Sequence, residues 1–313
     1  MASFSWEAKE IENQEIVHPV LKEAQVSLYI KREDLLHIHV SGNKFRKLKY
    51  NLSKAKKLGF DTVLTFGGAY SNHIAATAAA GKIAGLRTIG IIRGEELVKD
   101  LENTLSENNT LRFAVDQGMQ LKFISRSLYR EKESKSFLAA LKAEFGSFYS
   151  IPEGGTNRLA IQGCEEIITA RDVNFDIICC AVGTGGTIAG ISNTSFKHQS
   201  VIGFPALKGN FLSEEIKKYT NTSNWNLEEK YHFNGYGKIN RELIEFINTF
   251  REEQNIPLDP IYTGKMIYGI FDMIKKGVFT KNTRILAVHT GGLQGIAGMN
   301  KRLEKKNFPL ITI

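Results

Sequence analysis

The chain has 313 residues, 42% of them hydrophobic and 24% charged, which excludes wholesale disorder and leaves room for one large or two medium domains. Its formal charge of +8 raises nucleic acid as a partner, but basic residues alternate with acids, as in Lys31-Arg32-Glu33-Asp34 and Arg130-Glu131-Lys132-Glu133, so these runs read as solvated faces and no nucleic-acid partner is expected. Three cysteines, Cys164, Cys179 and Cys180, lack disulfide or zinc spacing, and neither the charged start MASFSWEAKEIENQ nor any ~20-residue apolar run suggests export or a membrane, so a cytoplasmic chain is expected.

In chain order, a strand-like start at Ile30 leads to Ser41-Gly42-Asn43, a turn or cap that opens a helix over 43–57. From about residue 60, short β-branched runs alternate with helix-length amphipathic segments, the signature of an α/β fold. Strands are predicted over 62–66, 88–92 and 121–124, with helices over 72–84 and 131–145. A second series follows: a helix over 159–171, strands over 176–182 and 201–204, helices over 241–253 and 265–276, and a strand over 284–289. No Pro-rich linker marks a boundary. The segment 48–150 has its own alternation and reads as a small domain inserted into a large one made of 1–47 and 151–313.

Glycine is abundant, 28 residues against 6 prolines, and the excess falls in pairs: Gly67-Gly68, Gly154-Gly155, Gly185-Gly186 and Gly291-Gly292. Three pairs follow an apolar strand and precede a helix. They are either tight turns or the floor of a shared cleft, because ligands of open parallel sheets bind beyond the carboxyl ends of the strands.

Chemistry concentrates at these turns. Lys44, at the opening of a helix, is a candidate nucleophile if its amine is partly neutral, which requires desolvation, nearby cations or a helix N-terminus. Arg46, Lys47 and the helix start supply the last two, although Lys47 and Lys49 taken alone read as a solvated basic face. In LTFGGAYSNHIAATAAA, Ser71 and Asn72 stand where they would cap an Ala-rich helix whose free amides suit a carboxylate. Ser-Asn is also simply a good cap, and His73 reads as a hydrogen-bonded, partly buried histidine. In AVGTGGTIAG, Gly183, Thr184, Gly185, Gly186 and Thr187 can ring a phosphate dianion. The segment lacks the Lys-[Ser/Thr] ending of a nucleotide loop and the GxGxxG fingerprint, which points to the phosphate of a different cofactor. Tyr236 in NGYG and Tyr262 in DPIYTGK are candidate acid/base or substrate-orienting phenols, or packing residues; Cys179 and Cys180 belong to a buried strand.

Together SGNKFRKL, FGGAYSNH, VGTGGT, DPIYTGK and HTGG, in that order, resemble the pyridoxal 5′-phosphate enzymes of fold type II, the tryptophan synthase β-like group. Within it they resemble the D-cysteine desulfhydrase and 1-aminocyclopropane-1-carboxylate deaminase family. The resemblance implies two open, twisted, mainly parallel sheets flanked by helices, in a large and a small domain, and commonly a homodimer. It implies that Lys44 carries the cofactor covalently, that Asn72 bonds its phenolate oxygen, and that Gly183 to Thr187 cradle its phosphate with help from Lys47. Ser71, with Asn72, His73 and Tyr70, would face a small amino-acid substrate, and Tyr236 and Tyr262 match the family's two active-site tyrosines.

Two positions depart from one or other member. Thr263 stands where the deaminase has the glutamate that meets the pyridine nitrogen, so the hydroxyl of Thr263 or Thr290 would take that place; Tyr70 stands where glutamine is usual. The expected activity is α,β-elimination from D-cysteine or a similar amino acid. The alternatives are deamination of 1-aminocyclopropane-1-carboxylate and a non-catalytic binding protein that keeps the fold.

Overall fold

The computed structural model describes Trp6, residues 10–209 and residues 211–313; most of the charged N-terminal stretch read above lies outside the described residues. Strands form where β-branched runs are buried: β1 (Asn13–Ile16), β2 (Ser27–Lys31), β3 (Thr62–Gly68), β4 (Arg87–Arg93), β5 (Met119–Ile124), β6 (Tyr149–Ile151), β7 (Ile177–Val182), β8 (Ser200–Pro205), β9 (Trp225–Leu227) and β10 (Arg284–Val288). The helices of the first half are α1 (Pro19–Ala24), α2 (Asn43–Lys57), α3 (Asn72–Ala84), α4 (Leu101–Glu107), α5 (Asn109–Asp116), α6 (Arg126–Arg130) and α7 (Lys135–Phe145). Those of the second half are α8 (Arg158–Cys164), α9 (Gly186–Thr194), α10 (Phe211–Lys217), α11 (Arg241–Gln254), α12 (Thr263–Lys275) and α13 (Gly295–Glu304).

Two sheets result. The larger has the order β1-β2-β10-β7-β8-β9 and is parallel except for β1 against β2. The smaller, β5-β4-β3-β6, is parallel throughout, and all its strands lie between residues 62 and 151. Helix α2 runs unbroken through position 47/48, so the passage between the sheets lies within a helix that packs on both α8 and α3. Alternation along β7 sends Cys179 into the core under α11 and α12, and Cys180 into the core under α8 and α9. Both thiols are fully buried, as expected.

Two predicted helices are shorter than expected because local side chains capture the backbone. The segment 131–145 is helical only from Lys135, where the Ser134 hydroxyl accepts from the Phe137 amide at 3.2 Å. The segment 159–171 stops being α-helical at Cys164, and Asp172 then caps a new turn by accepting from the Thr169 amide at 2.8 Å.

The run Lys31-Arg32-Glu33-Asp34 is not a solvated face. Lys31 pairs with Asp172 at 3.0 Å, Arg32 with Asp34 at 2.8 Å, and Glu33 grips Arg46 with both oxygens at 2.8 Å; Lys31, Glu33 and Asp34 are buried. These pairs fasten β2 and the chain after it beneath α2. Losing one partner of such a pair costs about 3–5 kcal/mol, because the other charge is left buried and unanswered.

Helices α2 and α8 meet backbone to backbone. A Cβ on Gly163 would lie 1.9 Å from the Arg46 carbonyl oxygen, a clash that no rotamer relieves. Gly163→Ala gains up to about 1 kcal/mol of helix propensity but forces two packed helices apart, and because the atom met is backbone the cost lies at the upper end of overpacking, about 2–3 kcal/mol or more. A net loss of at least about 1 kcal/mol is therefore expected in urea unfolding, and unchanged or raised stability would refute this packing.

Candidate active site

Lys44 is the second residue of α2, and Gly42 determines how it enters the cleft. Gly42 has φ +59°, and a Cβ there would fall 2.0 Å from the Thr290 carbonyl oxygen, so the chain can pass beneath the HTGG turn only as glycine. The Asn43 amide donates to that same carbonyl at 3.3 Å. Lys44 and Lys47 both line a cleft of about 740 Å³ beyond the carboxyl ends of β3, β7 and β10.

Across the cleft, the Lys44 amine donates to the Gly154 carbonyl at 3.2 Å; Lys47 donates to the Thr156 hydroxyl at 3.0 Å and to the Gly154 carbonyl at 3.4 Å. Lys44 is 7% exposed and Lys47 2%, so Lys47 is not on the solvated face that its sequence setting suggested. Burial pushes the Lys44 amine well below the ordinary lysine value, and the charge on Lys47 pushes it further. Burial lowers the Lys47 amine as well. Arg46 does not add to this effect as expected, because Glu33 and Glu166 clasp its guanidinium.

The phosphate loop lies between β7 and α9. A Cβ on Gly183 would crowd the Tyr262 ring at 3.2 Å, and one on Gly186 would meet Thr156 Oγ1 at 2.9 Å and Lys47 Nζ at 3.1 Å. The hydroxyls of Thr156 and Thr184 lie 2.6 Å apart, and Asn43 Nδ2 donates to Thr187 Oγ1 at 2.9 Å. Backbone amides at the start of α9, these hydroxyls and Lys47 together make an anion cradle.

Ser71 caps α3, its hydroxyl accepting from the Ile74 amide at a long 3.4 Å, and Ser71 and Asn72 both line the cleft. His73 is fully buried, with Nε2 2.8 Å from Thr65 Oγ1 and no hydrogen-bond partner for Nδ1 among the described residues. Burial, then the charges of Lys44 and Lys47, hold its imidazole well below the usual histidine value, hence neutral. Tyr70 is half exposed at the cleft wall, its ring so close over Gly298 of α13 that a Cβ there would lie 2.8 Å away.

Tyr236 and Tyr262 form an edge-to-face pair with ring centroids 6.1 Å apart, both facing the cleft. Burial pushes both phenols up, so they remain protonated donors at neutral pH. Lys265 holds the Tyr236 loop by donating to the His232 and Gly235 carbonyls at 2.9 and 3.0 Å, and its burial lowers its amine to about 8. Of the two candidate hydroxyls, Thr290 lines the cleft and Thr263 does not. Thr263 is fully buried and donates to Asp259 Oδ2 at 2.7 Å. Asp259 in turn accepts from the amides of Ile261, Tyr262 and Thr263, so its carboxylate is committed to the start of α12.

Sequence reasoning missed Thr156, Glu33 and Arg93. Thr156 directly follows a glycine pair, which was its available signal; Arg93 closes β4 and lines the cleft. Glu33 sat inside a charge run read as solvated.

A phosphate-bearing aldehyde fits this site: a desolvated amine faces the cleft beside an anion cradle, and the buried Asn43 Oδ1 and His73 Nδ1 still lack partners among the described residues. The parallel sheets and this site define a pyridoxal-phosphate enzyme of fold type II. Residues 11–291 match the family described as pyridoxal-phosphate dependent enzyme, and the chain belongs to it. It is 33% identical over 300 residues to a putative 1-aminocyclopropane-1-carboxylate deaminase of Pyrococcus abyssi, covering 88% of each chain. It is 33% identical to the bifunctional D-cysteine desulfhydrase/1-aminocyclopropane-1-carboxylate deaminase, mitochondrial, of Arabidopsis thaliana (86% of this chain, 73% of that one). With a D-cysteine desulfhydrase of Salmonella typhi the identity is 28%, over 85% and 86% of the two chains. The crystal structure of an ACC deaminase homologue superposes with a TM-score of 0.76 at 30% identity, covering 95% of this chain and 94% of that one. Among the described residues no helix is long and apolar enough to cross a membrane.

The lowered Lys44 amine has a stability consequence in the cofactor-free protein. Between its folded value and the unfolded value of 10.5, the unfolded chain binds more protons, so stability rises with pH through that window and the penalty is fully present below it. Lys44→Met removes this penalty at about 1.4 kcal/mol per unit of depression. The variant should be more stable than the parent in urea at pH 7, with the gap narrowing toward pH 10. A gap that does not change with pH would contradict a lowered Lys44 amine.

Proposed function

We propose that the protein catalyses α,β-elimination from a small β-substituted amino acid, with D-cysteine giving pyruvate, hydrogen sulfide and ammonia. The observation that carries this proposal is the desolvated Lys44 amine, held well below the ordinary lysine value, in the same cleft as the anion cradle and the Ser71–Asn72 helix start. Pyridoxal phosphate, when bound, supplies an electron sink for the pair left on Cα. Lys47, Thr156, Thr184 and the amides that open α9 would hold the phosphate, and Asn72 would bond the phenolate oxygen. The Ser71 hydroxyl and the first amides of α3 orient the substrate carboxylate. Lys44, freed by the incoming substrate amine, takes the Cα proton as general base. The bond from Cβ to sulfur then breaks, the electron pair leaves on sulfur, and Tyr262 or Tyr236 supplies a proton to it. Released 2-aminoacrylate hydrolyses to pyruvate and ammonia.

Thr290, which lines the cleft where Thr263 does not, would stand beside the pyridine nitrogen. A hydroxyl there does not keep the ring protonated as a carboxylate would, which leaves a weaker sink and favours a good leaving group over an unactivated cyclopropane. The names of the relatives favour a second activity at the same residues, conversion of 1-aminocyclopropane-1-carboxylate to 2-oxobutanoate and ammonia. Two assays on one preparation separate them: pyruvate from D-cysteine is expected to exceed 2-oxobutanoate from the cyclopropane substrate, and the reverse order assigns the protein to deamination. Lys44→Ala should lose the visible absorbance of the loaded enzyme and at least about 10³-fold in rate; colour and turnover that survive would remove Lys44 from the reaction. A preparation that takes up no cofactor would return the protein to a binding role.

A further inference from the structure

The mechanism above leaves three cations of the cleft unused, Arg93, Lys132 and Lys218, and Glu215 pairs with Lys218. Arg93 is the last residue of β4, in register with Gly68 at the end of β3, and its guanidinium stands over that glycine: Nη2 would be 3.6 Å from a Cβ there. The buried ring of Tyr129 supports the guanidinium from one side, with Cζ 5.5 Å from the ring centroid. Lys132 lies over the same ring at 5.2 Å, but Glu153 answers its charge at 3.4 Å. Arg93 has no carboxylate within ion-pair distance and no hydrogen-bond partner among the described residues, although it lines the same cleft as Lys44, Ser71 and Tyr236. It is exposed and lines the cleft, which Glu133 and Glu153 line as well, and neither of these stands within ion-pair distance of it.

Resting on the elimination reading above, we propose that Arg93 is a specificity residue for amino acids whose β-substituent is itself an anion, such as a sulfate or phosphate ester of serine. The α-carboxylate is already provided for by the start of α3, so a second, bidentate donor set matches a second acid group. In such a substrate Lys44 takes the Cα proton, the bond from Cβ to oxygen breaks, and sulfate leaves with the electron pair. Its charge is answered by Arg93 both before and after departure, so no proton need be supplied to it. Released 2-aminoacrylate takes up water to give pyruvate and ammonia.

The test compares serine O-sulfate with β-chloroalanine, whose substituent is neutral, in the loaded wild-type enzyme, Arg93→Gln and Arg93→Lys. The ratio of the two kcat/KM values should favour the sulfate ester in the wild type, fall at least tenfold in Arg93→Gln and recover in part in Arg93→Lys. Equal losses on both substrates would overturn the proposal, since Arg93 would then serve the α-carboxylate or the fold. A binding measurement keeps the two proposals separate: 2-amino-3-phosphonopropionate and alanine are titrated against the visible absorbance. The wild type should bind the phosphonate at least tenfold more tightly than alanine, and Arg93→Gln should lose that preference. A preference unaltered in Arg93→Gln overturns the assignment of Arg93 whatever the turnover. Failure of the wild type to turn over β-chloroalanine, D-cysteine and the sulfate ester would overturn the elimination reading instead.

Discussion

The site depends on keeping two amines, three residues apart on one helix, away from water. Lys44 and Lys47 reach the same Gly154 carbonyl, so they lie within ~7 Å of each other, where two full charges would repel by about 2 kcal/mol at an effective dielectric near 20. Burial already disfavours each charge, and the repulsion decides that both are not kept. The asymmetry of their surroundings decides which one yields. Lys47 faces the Thr156 hydroxyl and the phosphate loop, where an anion would answer its charge; Lys44 has one carbonyl and open cleft. One helix turn thus holds two amines of the same residue type in the places where the proposed reaction needs an anchoring cation and a nucleophile.

That arrangement requires α2 to be held without freedom to tilt, and the restraints come from three directions. The Glu33–Arg46 pair holds it from β2, the Gly163 contact seats α8 against its backbone, and the Thr290 carbonyl accepts from its first residue. Each is a close approach or a buried charge pair. A shift of α2 to relieve the amines would break at least one, so the strain of burying them is carried by the packing and not by the site.

The sequence reveals the strands of the parallel sheets and the turns that end them because those strands are buried on both faces and the turns need glycine at fixed places. It hides β1, β6 and β9, of four, three and three residues, since alternation cannot be read over so short a span. The site residues that share a turn, Lys44 and Lys47 or Ser71 and Asn72, are legible from their motifs. Thr156 and Arg93 are not, because each reaches the site only through the order of strands in a sheet. The charges were the least legible feature: Lys31-Arg32-Glu33-Asp34 and Arg130-Glu131-Lys132-Glu133 have the same local pattern, yet most of the first run is buried and most of the second is exposed. What separates them is long range, since the buried Asp172 and Arg46 wait for the first run, while the second meets only the part-exposed Glu153, which pairs with Lys132.

Thr263 and Thr290 show the same limit at the scale of one hydroxyl, and the difference bears on the chemistry. Both lie inside a motif, directly after Tyr262 of the cleft wall and His289 respectively, but Asp259 captures Thr263 because its carboxylate accepts from four donors at the start of α12. A glutamate at that position would set two carboxylates against each other. On the reading proposed above, Thr290 offers a hydroxyl at the cleft wall in place of a carboxylate, and the electron sink stays modest. A modest sink is compensated from the other end of the breaking bond, by a leaving group that departs readily as an anion. Arg93, across the cleft at the end of β4, is placed to receive one.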